Sequence, residues 1–339
     1  MKRNDRILLG HGAGGRLSHE LVTGTILPAF DNPYLATLSD SAVLDALPPG
    51  RPALTTDGFV VDPPVFPGGD LGYLSVCGTV NDLSVAGAKP LWLTLALILE
   101  EGLERELLDT FVQGAARAAR EAGVLLVAGD TKVVPRGKGD RAYAVTTGLG
   151  VVPPGREVSD RKLRPGDVVI ASGTLGDHGA TILASRHDLS AADLGSDCAP
   201  LASLVATLFA AGIDVHSMHD PTRGGVATTC YESAVRSGVR MVLEEELLPV
   251  RGDVRAVCDL LGLEPLYLAS EGRALVWVAP EDEARALAAL RSHPLGRGAT
   301  RIGTVLERTD GRSPLLLRTT LGIERPLDML SGLDLPRIC

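Results

Sequence analysis

The chain has 339 residues, 45% of them hydrophobic and 22% charged, with a formal net charge of −9; this composition suits a folded protein of two domains and excludes disorder, collagen or coiled coil as the main organisation. Its 28 Arg and five Lys are scattered rather than gathered into a stripe, which argues against nucleic acid as a main partner. The longest apolar run, near Leu91–Leu99, is less than half the roughly 20 residues needed to span a bilayer, and only Ile7–Leu9 follow the basic start, so neither a membrane span nor an export signal is expected and the expected address is cytoplasmic.

Arg6–Leu9 reads as a short strand, followed by Gly10-His11-Gly12-Ala13-Gly14-Gly15 and a helix over Leu17–Leu27. Ala53–Asp62 alternates as a strand, and Leu71–Ala86 is a helix rich in small residues. Leu91–Leu99 is a buried strand, Glu104–Glu121 an amphipathic helix ending at Gly123, and Val124–Ala128 a strand running into Gly129-Asp130-Thr131-Lys132. A further strand over Ala142–Val152 leads to Pro153-Pro154-Gly155, the best linker signal in the chain. Beyond it, strands are expected at Val168–Ser172, Val239–Leu243, Leu275–Ala279 and Arg301–Leu306. Helices are expected near Leu201–Ala211, Gly224–Ser237, Val254–Leu261 and Glu281–Arg291. From Leu327 onward Gly332 and Pro336 interrupt any periodicity, and a mobile tail is expected. The domains are therefore read as 1–155, 156–330 and a tail of 331–339.

Gly10-x-Gly12-x-x-Gly15 satisfies the dinucleotide pattern, with backbone N–H groups near a helix start that could face a phosphate. It fails as a P-loop, because Arg16-Leu17 occupy the Lys-Ser/Thr positions, and a flexible turn explains the glycines equally well. Five aspartates, Asp40, Asp57, Asp82, Asp130 and Asp220, stand where strands or helices meet loops. Magnesium takes hard oxygen ligands, one or two carboxylates plus phosphate oxygens, so together these residues point to metal–nucleotide binding. Asp82 is the most telling, because a lone carboxylate inside an apolar helix is costly. Asp220 has a structural alternative, as the N-cap of a helix with Pro221 at its first position. Lys132, His178 and Glu271 complete the polar candidates. Lys132 stands out in an arginine-rich chain because a compact ammonium suits phosphate contact.

The five cysteines Cys77, Cys198, Cys230, Cys258 and Cys339 form no metal-binding pair, and an odd number argues against a disulfide framework. Cys77, Cys230 and Cys258 are expected to be buried and inert. Cys339 is the last residue of the sequence and is expected to have nothing to pack against. From Ser331 its tail can reach on the order of 30 Å, enough for a thiolate to carry an acyl group between two places; the alternative is a frayed end.

Gly-His-Gly-Ala-Gly-Gly at 10–15, Gly-Thr-Val-Asn-Asp-Leu at 78–83, Gly-Asp-Thr-Lys-Val-Val at 129–134, Ser-Gly-Thr-Leu-Gly-Asp-His-Gly-Ala-Thr at 172–181, Asp-Pro-Thr-Arg-Gly-Gly at 220–225 and Pro-Arg-Ile-Cys at 336–339, in that order, resemble the HypE hydrogenase maturation factors. These belong to the aminoimidazole ribonucleotide synthetase (PurM-like) superfamily, with selenophosphate synthetase and thiamine monophosphate kinase. The resemblance implies an α/β (α+β) fold of two PurM-like domains. The first would bind ATP and pair its sheet with its twin into a barrel across a homodimer; the second would be an α/β domain, followed by a flexible tail. It implies that Cys339 receives a carbamoyl group from the carbamoyltransferase HypF, that ATP drives its dehydration to a thiocyanate, and that the cyanide passes to iron on HypC–HypD. Phosphorylating the amide oxygen would turn it into a phosphate leaving group, and a base must then remove the nitrogen protons.

By the same resemblance Asp40, Asp57, Asp82, Asp130 and Asp220 would hold Mg2+ and ATP. Gly12, Gly14, Gly15, Asn81 and Thr131 would complete the nucleotide contacts. Cys339, Lys132 and Glu271, with His178 as a weaker addition, would carry the chemistry. Pro221 stands where the family motif often has Ala. Two other readings remain at this point: a sister ATP-dependent kinase or synthetase of small molecules, which would have no use for a terminal thiol, and a nucleotide-dependent scaffold for metallocofactor assembly.

Overall fold

The computed structural model describes residues 5–189, 193–309, 311–330 and 337–339. The expected strand at Arg6–Leu9 is instead an extended bridge: Ile7 pairs its backbone with Gly102 and Leu103, and Leu9–Gly12 turn as a 3-10 helix. The expected helix follows in three pieces, α1 (Arg16–Leu21), a π-turn over Val22–Ile26 and α2 (Leu27–Phe30), with α3 (Pro33–Ala36) capped by the Asn32 side chain.

A four-stranded sheet comes next, from β1 (Arg51–Phe59), the last three strands of which follow a hairpin of β2 (Val65–Phe66) and β3 (Gly69–Asp70). Those strands are β4 (Lys89–Glu100), β5 (Leu125–Val134) and β6 (Ala142–Val152), in the spatial order β1-β6-β4-β5. Only β4 and β5 run parallel. Helices α4 (Leu71–Val85) and α5 (Arg105–Ala122) cover one face. They cross closely at Gly72, where a Cβ would stand 1.8 Å from the Phe111 carbonyl oxygen. The other face is left half-exposed and largely apolar, with Leu54, Ile98, Tyr143, Val145 and Leu149 in outward positions.

The second sheet has seven strands in the order β13-β12-β9-β11-β7-β10-β8. They are β7 (Val168–Ala171), β8 (Val215–His219), β9 (Arg240–Glu244), β10 (Leu275–Val278), β11 (Thr300–Leu306), β12 (Leu315–Arg318) and β13 (Glu324–Leu327). The helices of this half are α6 (Asp177–Arg186), α7 (Ala202–Ala210), α8 (Gly225–Ser237), α9 (Gly252–Leu261) and α10 (Glu283–Arg291). Helix α6 escapes a periodicity reading because Asp177–Ala184 are all buried, so no polar stripe marks it.

Helix α4 is buried along its whole length except at Asp82, because it lies between the first sheet and the second half of the chain. Asn81 fastens the two halves: its amide donates to the carbonyls of Ala199 (3.1 Å) and Glu271 (3.0 Å) and accepts from the Leu201 N–H (2.7 Å). Cys77, Cys198, Cys230 and Cys258 are all buried free thiols. Most of the expected tail, residues 331–336 with Pro336, lies outside the described residues. The expectation that Cys339 has nothing to pack against is overturned, since Ile338 is buried and Cys339 packs on the core of the first domain. No helix among the described residues is long and apolar enough to cross a membrane.

Candidate active site

Two clefts divide the expected site residues. The first, of about 220 Å3, lies between the end of β1, helix α4 and the loops at 220–223 and 269–272; Asp57, Asp82, Asp220, Arg223, Glu271 and Cys339 line it. Gly78 and Asp82 are one helical turn apart on α4, so both face β1. Glycine at 78 leaves room for the Phe59 ring, 2.8 Å from where a Cβ would stand. Thr55 donates to Asp82 (2.8 Å) and Thr79 to Asp57 (3.0 Å). Asp220 does not cap a helix: residues 220–224 form a loop, and α8 begins at Gly225 behind Gly224.

The acids of this cleft strain against ionising together. Burial and the neighbouring Asp57 push Asp82 up to about 6. Burial, then Asp82 and Asp57, push Asp220 up to about 7. Burial, then Asp220 and Asp197, push Glu271 up to about 8. Glu271 is 1% exposed, its Oε1 has no hydrogen-bond partner, and its backbone N–H is held by Asp197 Oδ1 at 3.1 Å. The Cys339 thiol sits against this carboxyl, and burial first, then Glu271, raises it well above the ordinary thiol range. Arg223 brings the opposing positive charge, which favours ionisation of both Asp82 and Cys339.

The second cleft, of about 300 Å3, carries the glycine loop with His11, Gly12 and Gly14, then Asp40, Asp130, Thr131 and Lys132. A Cβ at Gly12 would be 2.4 Å from the Val133 nitrogen, so the loop packs directly on β5. Lys132 Nζ lies 2.8 Å from Asp130 and holds that carboxyl below its usual range. Gly15 stands just before α1 as its N-cap. Strands β1 and β5 are the two edges of the first sheet, so within one chain Lys132 is not beside Cys339. Asn81 points away from both clefts, into the junction of the two halves, and His178 is fully buried against the tail backbone. Arg223 has no candidate role by sequence alone, although a cation within the 220–225 motif of an acid-rich set is a readable signal. Asp197 has none, because it meets the site through the Glu271 backbone N–H while its other oxygen faces Arg273 at 3.7 Å.

The donors of the first cleft suit Mg2+: they are hard carboxylate oxygens whose mutual repulsion a cation would relieve. Among the described residues no three His, Cys, Asp or Glu side chains close into a ready cage. An ion that keeps several waters and shares phosphate oxygens needs none.

Residues 38–152 match the AIR synthase related protein N-terminal domain and residues 164–314 its C-terminal domain. Carbamoyl dehydratase HypE of Rhodobacter capsulatus is 48% identical, covering 99% of each chain. A solved structure of hydrogenase maturation protein HypE in complex with ATP superposes with a TM-score of 0.94 at 47% identity, covering 98% of this chain and 99% of that one. A chain of a HypE–HypF complex superposes with 0.79 at 43% identity, over 93% and 100%.

Proposed function

The chain belongs to the HypE family of carbamoyl dehydratases, within the AIR synthase-related proteins, and from that premise we propose that it converts an S-carbamoyl group on Cys339 to a thiocyanate at the expense of ATP. The observation that carries this is the seat of Cys339: its sulfur lies in a cleft walled by Asp57, Asp82, Asp220 and Glu271. A mere docking contact needs no base beside the sulfur, and a small-molecule kinase needs no sulfur at all.

The amide oxygen of the carbamoyl group attacks the γ-phosphoryl group and ADP departs. Glu271, whose side chain lines the cleft, accepts a nitrogen proton as the C=N bond forms. Loss of the phosphorylated oxygen with the second nitrogen proton leaves S–C≡N, and Glu271 returns the first proton to the departing phosphate, so the amide oxygen and both protons end on inorganic phosphate and the base is restored. Arg223 is placed to meet charge building on the transferred group. Mg2+, which Asp57, Asp82 and Asp220 would hold, supplies neutralisation of phosphate charge.

Asp40, Asp130, Thr131 and Lys132 with Gly12, Gly14 and Gly15 then serve the nucleotide from the other edge of the sheet. A twofold pairing of the half-exposed apolar faces sets β5 of one protomer against β1 of the other. That closes the sheets toward a barrel and brings Lys132 to the partner's sulfur; it is the arrangement we propose for the homodimer. HypF supplies the carbamoyl group, a cytoplasmic HypC–HypD complex receives the cyanide, and the division at 1–155, 156–330 and 331–339 serves these tasks. The test is intact mass: the carbamoylated protein should lose one water on adding Mg–ATP. An unchanged mass removes the dehydratase and leaves the scaffold.

A further inference from the structure

His178 does not reach the sulfur. It is fully buried on α6, and its Nε2 lies 2.8 Å from the carbonyl oxygen of Ile338 while its Nδ1 lies 2.8 Å from Ser196 Oγ. A carbonyl only accepts, so Nε2 carries the proton and Nδ1 accepts from the serine hydroxyl. Burial holds the ring down at about 4, which keeps it neutral. The serine is itself fixed, because its Oγ accepts from the Cys198 N–H at 3.0 Å. The Phe66 ring meets the imidazole edge-on, with centroids 5.3 Å apart.

One residue earlier, a second carbonyl is gripped. The Asp62 N–H donates to Arg337 O at 3.2 Å and the Arg186 guanidinium donates to the same oxygen, while Arg186 also holds Asp62 O at 2.5 Å. Arg337 sits at φ +54°, a left-handed conformation that a non-glycine residue keeps only where its surroundings hold it. Its guanidinium pairs with Asp140 at 2.5 Å and Asp62 at 3.6 Å on the rim. A slip of one residue would shift the sulfur by about 3.5 Å, away from Glu271.

We propose that His178, oriented by Ser196, is a positioning residue: with Asp62 and Arg186 it grips two consecutive tail carbonyls and sets the register at which Cys339 meets Glu271. This rests on the reading of Cys339 as the carrier sulfur. The latch holds backbone, so the sulfur is left free to carry either a carbamoyl or a cyano group without loosening the dock.

The test compares His178→Leu, His178→Gln and Ser196→Ala with the full-length wild type. One readout is the rate of iodoacetamide labelling of Cys339, followed on the 325–339 peptide. The other is ATP-driven dehydration of the carbamoylated form. His178→Leu should label about tenfold faster and lose about tenfold in kcat, the size of one hydrogen bond to a buried acceptor, with KM for ATP unchanged. His178→Gln, which keeps a donor near the Nε2 position, should restore most of both. If His178→Leu fails to fold, Ser196→Ala carries the test, with a smaller rise in labelling and the same kcat-only loss. Labelling at the wild-type rate, or a Gln variant as impaired as the Leu variant, overturns the latch. A wild type that labels slowly yet never forms thiocyanate overturns the functional reading instead.

Discussion

The thiol of Cys339 lies against the carboxyl of Glu271, and the contact works in opposite directions on the two groups: it holds the proton on the sulfur and eases the carboxyl down, against a larger upward push from burial. The docked free thiol is therefore a poor nucleophile. We propose that carbamoylation uses the undocked tail and dehydration the docked one, where the sulfur no longer carries a proton and a cation held by the neighbouring acids would draw Glu271 into the ionised form that accepts one.

Replacing Glu271 by Gln keeps the shape of the site and removes the base. Dehydration should fall by about 10²- to 10⁴-fold, the usual share of a positioned general base, while uptake of the carbamoyl group continues. Single-turnover formation of the thiocyanate from carbamoylated protein measures the first and intact mass the second. Wild-type turnover in Glu271→Gln would remove that role from the carboxyl.

The acid cluster makes a prediction about pH. Glu271, Asp220 and Asp82 sit at about 8, about 7 and about 6 in the folded chain, against ordinary values of 4.5, 3.8 and 3.8. Each folded value is raised, so the folded state binds these protons more tightly than the unfolded one. Their contribution to stability is complete below pH 4 and is lost as pH rises through 6 to 8. Between pH 5 and 8.5 the ligand-free protein should lose roughly 2 kcal/mol or more by denaturant titration, and Asp220→Asn should flatten that loss. Mg2+ with a non-hydrolysable ATP analogue should restore more stability at pH 8.5 than at pH 5. A pH-independent midpoint would contradict the cluster's electrostatics.

Much of this was legible in the sequence. Strands and helices with a clean period appear where expected, from the strand at Ala142–Val152 to the amphipathic helix closed by Gly123. The elements not foreseen lack a period for physical reasons. Helix α6 is buried all round, and β8 is a short buried run broken by two histidines. The site residues were legible as types but not as a geometry. Asp57, Asp82, Asp220 and Glu271 converge with Cys339, whereas Asp40, Asp130 and Lys132 gather at the opposite sheet edge. No spacing along one chain encodes which edge faces a second copy. The latch on the tail was illegible because it grips backbone carbonyls, which every residue offers.

Asn81 provides a third test, of the join between the two halves. Its side chain pairs one buried N–H and two buried carbonyls, one of them that of Glu271. Asn81→Ala leaves all three unpaired and should cost roughly 3 kcal/mol, seen as a lower denaturant midpoint. Asn81→Asp should be worse, because a carboxylate would face the Ala199 and Glu271 carbonyls with no proton to offer. If Asn81 instead contacted nucleotide, Asn81→Ala would raise KM for ATP and leave stability nearly unchanged.

The separation of Lys132 from Cys339 yields the most discriminating experiment. If each site takes its sulfur and Glu271 from one protomer and Lys132 from the other, Lys132→Ala and Cys339→Ala are each inactive alone. Mixed protomers tell a different story. A heterodimer of the two variants holds one intact site, since the first supplies the tail and the second the lysine; the other site lacks both. Random reassortment makes about half the dimers heterodimers, so about a quarter of wild-type sites should return. Thiocyanate formation after unfolding and refolding the equimolar mixture measures it, with Glu271→Gln plus Cys339→Ala as the control pair. Those two residues lie in one cleft of one chain, so that mixture should stay inactive. If Lys132 instead acted on the sulfur of its own protomer, the Lys132 mixture would stay inactive as well, and the pairing of sheet edges across the dimer would have to be given up.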